Sequence, residues 1–276
     1  MKTSARYIHR DLSSTIDDIQ TSTGNYVLTN PGKDIVYYDD FDGDGTIEQG
    51  VVSAEVLGFP EAKRTYEALE LTINRVWDGD WSLNASYIYS KSEGNTEGLV
   101  KSDNGQSDAG LTTDFDYPQL MDGAFGPLPN DREHQIKAWG AYQVLENLSF
   151  GGSMVYTTGR PINRFGLGHP DGNPSYGATY YTYNQETETY SFHPRGSAGR
   201  TDDQLTFNFN VVFDIEAFGG DLSLRMDILN VFDEDTGVEI FENAESGAPG
   251  EADERYGLIT SYQKPREVRF GASLRF

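Results

Sequence analysis

The sequence predicts an all-β chain, an antiparallel transmembrane β-barrel segment of about eight up-and-down strands with long extracellular loops. Three observations predict it. Two-faced segments about as long as a tilted membrane strand recur along the chain. Tight turns alternate with connections several times longer. The final residue, Phe276, is an aromatic on the apolar face of a strand.

That closing segment sets Val268, Phe270, Ala272, Leu274 and Phe276 on one face and Glu267, Arg269, Gly271, Ser273 and Arg275 on the other. Alternation with period two is the pattern of a strand with one apolar and one wet side. Lipid gives such an outer face its solvent.

Seven further segments repeat the pattern, and the first, residues 3–11, does so more weakly. Leu69, Leu71 and Ile73 oppose Glu70, Thr72 and Asn74. Trp81, Leu83, Ala85, Tyr87 and Tyr89 oppose Ser82, Asn84, Ser86 and Ser90. Ile136, Ala138, Gly140, Tyr142 and Val144 oppose Gln135, Lys137 and Gln143, with Trp139 an exception. Leu148, Phe150, Gly152, Met154 and Tyr156 oppose Ser149, Gly151, Ser153 and Thr157. Leu205 to Ile215 and Leu222 to Ile228 complete the set. Trp81, Tyr87, Tyr89, Tyr142 and Tyr156 read as aromatic residues of the membrane–water boundary.

Residues 77–80, 145–147 and 216–220 read as tight turns. Residues 12–61, 92–131, 159–202 and 233–265 are long and rich in Gly, Asp, Asn, Pro and Ser. Read as structureless, such connections are foreign to a compact soluble domain. They suit a membrane barrel with short periplasmic turns and long outer loops. Counted back from Phe276 at the periplasmic end, every long segment falls outside the cell.

The 276 residues contain no Cys, so disulfide frameworks and thiolate metal sites are excluded. Mean hydropathy is −0.57, and no apolar run approaches the ~20 residues of a membrane helix. A net charge of −23 argues against a nucleic-acid partner. Residues 1–6 lack the apolar stretch of a secretory signal. The inward-facing set, mostly Ser, Asn, Thr, Gly and Gln, is too small and polar to pack a dry eight-stranded interior. A wider, water-filled or plug-filled lumen fits better. Eight strands of a wider barrel leave two open edges, which lipid does not tolerate. The expectation is therefore that 1–276 is the C-terminal part of a larger protein, its signal peptide and plug absent.

Several stretches carry a resemblance. They are Arg6-Tyr7-Ile8-His9-Arg10-Asp11 with Thr15-Ile16-Asp17-Asp18, Arg64 to Leu71, Trp81 to Ser90, Thr158-Gly159-Arg160-Pro161, Asp227 to Asp233, and Arg266 to Phe276. In order and spacing the chain resembles the C-terminal barrel region of TonB-dependent outer-membrane receptors, the Oar-like group in particular. The resemblance implies the last strands of a 22-stranded barrel. It also implies outer-membrane lipid, the rest of the barrel, an N-terminal plug and, through the plug, the TonB complex as partners. The ligand is left open.

The sharpest local motif is Asp40-Phe41-Asp42-Gly43-Asp44-Gly45-Thr46-Ile47-Glu48. Carboxylates at alternate positions followed by Gly match the first half of a calcium loop, with Asp40, Asp42, Asp44 and Glu48 as candidate ligands. Val51 stands where the bidentate Glu belongs, so the alternative is an acidic turn. The segment 176–192, with Tyr180, Tyr181, Tyr183 and Tyr190, reads as an aromatic hairpin, its rings serving as cross-strand pairs or as a stacking surface for a ligand. No cofactor is required and no catalytic signature is present: the four histidines are scattered, and no nucleophile elbow or phosphate loop occurs. The expected function is one part of the wall of a ligand-uptake pore, not an enzyme. A plug-free porin or surface adhesin, and a soluble secreted carbohydrate-binding β-sandwich, are the alternatives.

Overall fold

The computed structural model describes residues 1–20, 26–39, 42–106 and 112–276. Eight long strands follow one another in a single antiparallel sheet: β1 (Lys2–Leu12), β2 (Arg64–Arg75), β3 (Trp81–Gly94), β4 (His134–Leu145), β5 (Leu148–Thr157), β6 (Gln204–Ala217), β7 (Gly220–Leu229) and β8 (Glu267–Arg275). Each pairs with its sequence neighbours, and the short strand Gly126–Pro127 adds to the end of β3. The weakly patterned first segment pairs along its whole length, from Lys2 opposite Asn74 to Leu12 opposite Arg64.

The register aligns every apolar face. Tyr7 lies opposite Leu69, Leu69 opposite Tyr89, Met154 opposite Phe207, Val211 opposite Met226, and Met226 opposite Phe270. A slip of one residue in any pair would turn an apolar set inward. Among the described residues no second layer covers this face. Phe270 is 79 % exposed and Phe276 95 %, while every buried apolar residue but Ala68 lies in the long connections. Ala68 is on the opposite face of β2, across from Ile8. The soluble-sandwich alternative fails on this point, because its apolar faces would have to pack on each other.

The short turns fall at one end of the sheet. Between β6 and β7 only Phe218 and Gly219 intervene, with φ of 54° and 79°. Two positive φ values in a two-residue loop are what a type I′ hairpin turn requires. Between β2 and β3, one Asp78 carboxylate oxygen accepts the N–H groups of Asp80 and Trp81.

The long connections differ from the expectation of structureless loops. They contain the hairpins Asp17–Gln20 with Tyr26–Thr29, Ile35–Asp39 with Glu48–Val52, Tyr181–Asn184 with Thr189–Phe192, and Gly237–Ile240 with Ile259–Tyr262. Ile19, Ile35, Phe59, Phe115, Met121, Phe165 and Tyr180 form one buried core drawn from three of the four connections. The chain therefore has two apolar systems, an outer face for lipid and a small water-excluded core in a cap above the barrel strands.

The register makes a direct prediction. Phe209→Arg places a charge on the lipid face and should cost ~2–4 kcal/mol near mid-bilayer, whereas Ser86→Arg points into the lumen and should cost under about 1 kcal/mol. Urea titration of both variants assembled in lipid vesicles checks this; equal losses would mean the faces are assigned the wrong way.

Candidate functional site

Of the four candidate calcium ligands, Asp40 lies outside the described residues. Asp42 and Asp44 occupy a tight turn in which Gly43 and Gly45 have φ of 75° and 88°. Asp42 Oδ1 accepts the Asp44 N–H at 3.1 Å, and Asp44 Oδ1 accepts the Thr46 N–H at 2.7 Å. The bonds from Thr46 hold the Asp44 carboxyl below its ordinary pKa. Glu48 begins the returning strand, opposite Asp39. Asp42, Asp44 and Glu48 are exposed, and among the described residues no three acidic or histidine side chains form a finished metal-ligand set.

Sequence reading missed a buried ionic network inside the cap. Lys101 Nζ sits 3.0 Å from Asp114 and 3.4 Å from Asp103. Arg195 Nη1 reaches the other Asp103 oxygen at 2.9 Å, and Asn163 Nδ2 donates to the same oxygen at 3.1 Å. Burial alone would push Lys101 down, but the Asp103 and Asp114 carboxylates outweigh it and hold the ammonium charged. Burial works against the Asp103 charge as well, and Lys101 and Arg195 overcome it. The Tyr180 ring lies under both cations, 5.9 Å from Lys101 Nζ and 5.6 Å from the Arg195 guanidinium, and burial raises its hydroxyl to about 12.

A second ion cluster ties the cap to the last connection. Arg160 pairs with Glu239 at 2.6 Å and with buried Glu242, whose other oxygen accepts the Asn163 N–H at 2.7 Å. The stretch Thr158-Gly159-Arg160-Pro161 thus has a structural job. A Cβ on Gly159 would lie 1.6 Å from the Thr201 carbonyl oxygen, so only glycine lets the two segments run side by side. Asn230, within the stretch Asp227 to Asp233, closes β7 in the same spirit. Its φ is 49°, its side chain donates to Glu234 and Lys264 carbonyls at 2.8 Å each, and its N–H donates to Asn208 at 3.0 Å. Asn tolerates this left-handed backbone better than most residues.

The aromatic hairpin forms as expected, and its rings pair across strands: Tyr181 with Phe192 at 4.9 Å and Tyr183 with Tyr190 at 4.8 Å between centroids. Beside it a cap cavity of about 540 Å³ is lined by Arg164, Gln185, His193 and Glu245 among others. Burial and the nearby Arg164 hold the His193 pKa low. A second cavity, of about 590 Å³, opens on the lumen side of β1 to β3 and presents Arg6, Arg10, Arg64 and Glu70. Along the lumen wall charges come as pairs, with Arg6 to Glu70 at 2.5 Å and Arg225 to Asp227 at 2.7 Å. Trp139, the exception to the strand pattern, also faces the lumen, opposite Asn84 and Ser153. Such surfaces offer a polar solute guanidinium donors and carboxylate acceptors along a wet path.

No protein-family model matches the chain. It is 28% identical, over 317 aligned residues, to the TonB-dependent transporter Oar of Myxococcus xanthus, covering 99% of this chain and 26% of that one. The chain thus spans about a quarter of the curated relative's length. Among solved structures it matches the siderophore receptor PiuA from Acinetobacter baumannii, with TM-score 0.49, 12% identity and coverage of 98% of this chain and 25% of that one. It also matches the ferric-catecholate import receptor Fiu from E. coli, with TM-score 0.48, 14% identity and coverage of 99% and 25%. The sequence resemblance holds along the whole run of strands, and the chain is an outer-membrane β-barrel segment.

Removing one cation from the buried network should be expensive. Lys101→Met leaves Asp114 buried without its partner and should destabilise the cap by about 3–5 kcal/mol. Limited proteolysis should then cut within residues 95–131 while the barrel strands stay protected. Lys101→Met combined with Asp114→Asn should recover part of the loss.

Proposed function

We propose that this chain builds the last eight strands of the wall of a TonB-energised uptake pore, with its cap forming part of the extracellular ligand-capture surface. The observation that carries the reading is the sheet itself. It offers one continuous apolar face, one polar face with paired charges, and two strands, β1 and β8, each paired on a single side. A lone eight-stranded barrel would pair β1 with β8 and fill its interior with side chains. Here the outer edges need further strands, because unpaired N–H and C=O groups are not stable in hydrocarbon. Similarity to one stretch of a TonB-dependent transporter supports the same assignment and gives no reason to expect an enzyme.

In this role the chain contributes shape and charge. The paired Arg and acidic residues of the lumen wall would keep the passage hydrated while a plug, held by the whole protein, controls it. The test compares residues 1–276, directed to the outer membrane by a heterologous signal, with the full-length protein. The full-length form should resist SDS unfolding at room temperature and migrate as a compact barrel, and ligand uptake should stop in a TonB-deficient strain. A compact, SDS-resistant barrel from 1–276 alone would overturn the partial-wall reading, and uptake independent of TonB would favour an open porin.

We also propose that residues 40–48 bind calcium, a reading supported by the exposed alternate carboxylates Asp42 and Asp44 at a glycine turn. Calorimetric titration with Ca²⁺ should show binding that Asp42→Asn with Asp44→Asn weakens at least tenfold. No difference between that variant and the parent would retire the idea.

A further inference from the structure

The lipid face is not evenly filled. Near their short-turn ends, β3, β4, β5 and β6 are crossed by successive rows of directly opposed residues. The first row is Trp81, Tyr142, Phe150 and Val211, and the second is Leu83, Gly140, Gly152 and Phe209. In the second row the side chains stop at the two glycines and the floor falls to bare backbone. The result is an apolar recess of about 430 Å³, walled by Trp81, Tyr142 and Phe150 towards the turns and by Phe207 and Phe209 along β6. The Phe150 and Phe209 rings close one corner, 5.5 Å apart between centroids. Two strands lie on either side of this group, so strands added beyond β1 or β8 would not cover it.

The two glycines differ in what requires them. A Cβ on Gly140 would lie 2.4 Å from the Ser82 carbonyl oxygen, so close backbone approach accounts for that position. A Cβ on Gly152 would meet the Asn208 carbonyl oxygen at 3.6 Å and the Phe207 ring at 3.7 Å, both ordinary contacts. Its φ is not positive, and the pairing around it is unbroken on both sides. Glycine weakens a strand interior, and one that no bulge or turn demands marks a place where another group comes close.

The turn beside the recess carries charges of both signs. Arg75, at the end of β2 and opposite Leu83, sets its guanidinium 4.0 Å from the centre of the Trp81 ring and pairs with Asp78. Its Nε is shut off from solvent without a hydrogen-bond partner. Asp80, next to Trp81, forms no ion pair among the described residues.

We propose that the recess and this turn together bind one amine-bearing glycerophospholipid. One acyl chain lies over Gly152, and the phosphate and ammonium of the head group meet Arg75 and Asp80. The surroundings select this occupant. Hydrocarbon bathes the face, and a recess left unfilled there would forfeit the dispersion contacts of its walls. Short turns of such barrels are periplasmic, so the recess opens to the phospholipid leaflet. Trp81 marks the head-group level, where a guanidinium suits phosphate. The second carboxylate of the turn favours an ammonium-bearing head group over an anionic one. The site rests on the sheet's place in the outer membrane and not on the transport reading.

Photolabelling of the full-length protein in detergent, with a phosphatidylethanolamine carrying a diazirine in one acyl chain, tests this. Cross-links mapped by peptide mass spectrometry should concentrate in residues 81–85, 138–142, 150–154 and 207–209. Unlabelled phosphatidylethanolamine should displace the probe, and phosphatidylglycerol should displace it poorly. Gly152→Leu fills the recess from its floor and should cut this labelling about tenfold. Arg75→Gln removes the charged donors and should also cut it about tenfold. Leu71→Ala, on the same face outside the recess, should label like the parent. Even labelling over all eight strands of the parent, undiminished labelling in Gly152→Leu or Arg75→Gln, or equal displacement by the two lipids would each overturn the assignment. So would cross-linking to a second copy of the protein in place of lipid. The parent map stands even if a variant fails to assemble.

Discussion

Hydrocarbon offers no hydrogen bonds, and nearly everything in the lower half of this molecule follows from that. Each backbone N–H and C=O inside the bilayer has to find its partner on a neighbouring strand. Pairing at sequence-adjacent positions satisfies this with the shortest connections, which is why two residues suffice between β6 and β7. With the backbone satisfied, side chains sort by period two alone. The apolar set goes to lipid and the polar set to water, and the register from Tyr7 across to Phe270 keeps the sets apart over all eight strands.

Beyond the bilayer a different rule applies. The cap has little regular structure to satisfy its backbone, so it relies on side chains instead. Arg160, Asn163, Arg195 and Asn230 each bond groups from distant segments, and the buried charges of Arg160 and Arg195 are matched by Glu239, Glu242 and Asp103. Desolvated ion pairs of this sort add little net stability against an apolar alternative, but each is costly to break. They suit a surface that must hold one shape while remaining highly acidic overall.

The strands were legible because a strand's signal is local: Leu222, Leu224 and Met226 announce a face within five positions. The turns were legible for the same reason. Cap packing was not, since its bonds join residues such as Asp103 and Arg195, separated by 92 positions with no periodic trace between them. Glycine- and aspartate-rich composition pointed to disorder where Ile19, Phe59, Phe115 and Phe165 in fact share a core. The acidic residues divide along the same line. Asp42 and Asp44 belong to one short motif and stood out, whereas Asp103 meets Arg195 only through the fold.

A cap held by contacts between distant segments has an immunological consequence. Each outer connection owes its shape to side chains contributed by the others, as Arg195 does for Asp103 and Glu242 for Asn163. A linear peptide copied from any one connection would lack those supports and sample other conformations. Antibodies raised against such peptides should recognise denatured chain on a blot and miss the folded protein, which displays only composite epitopes.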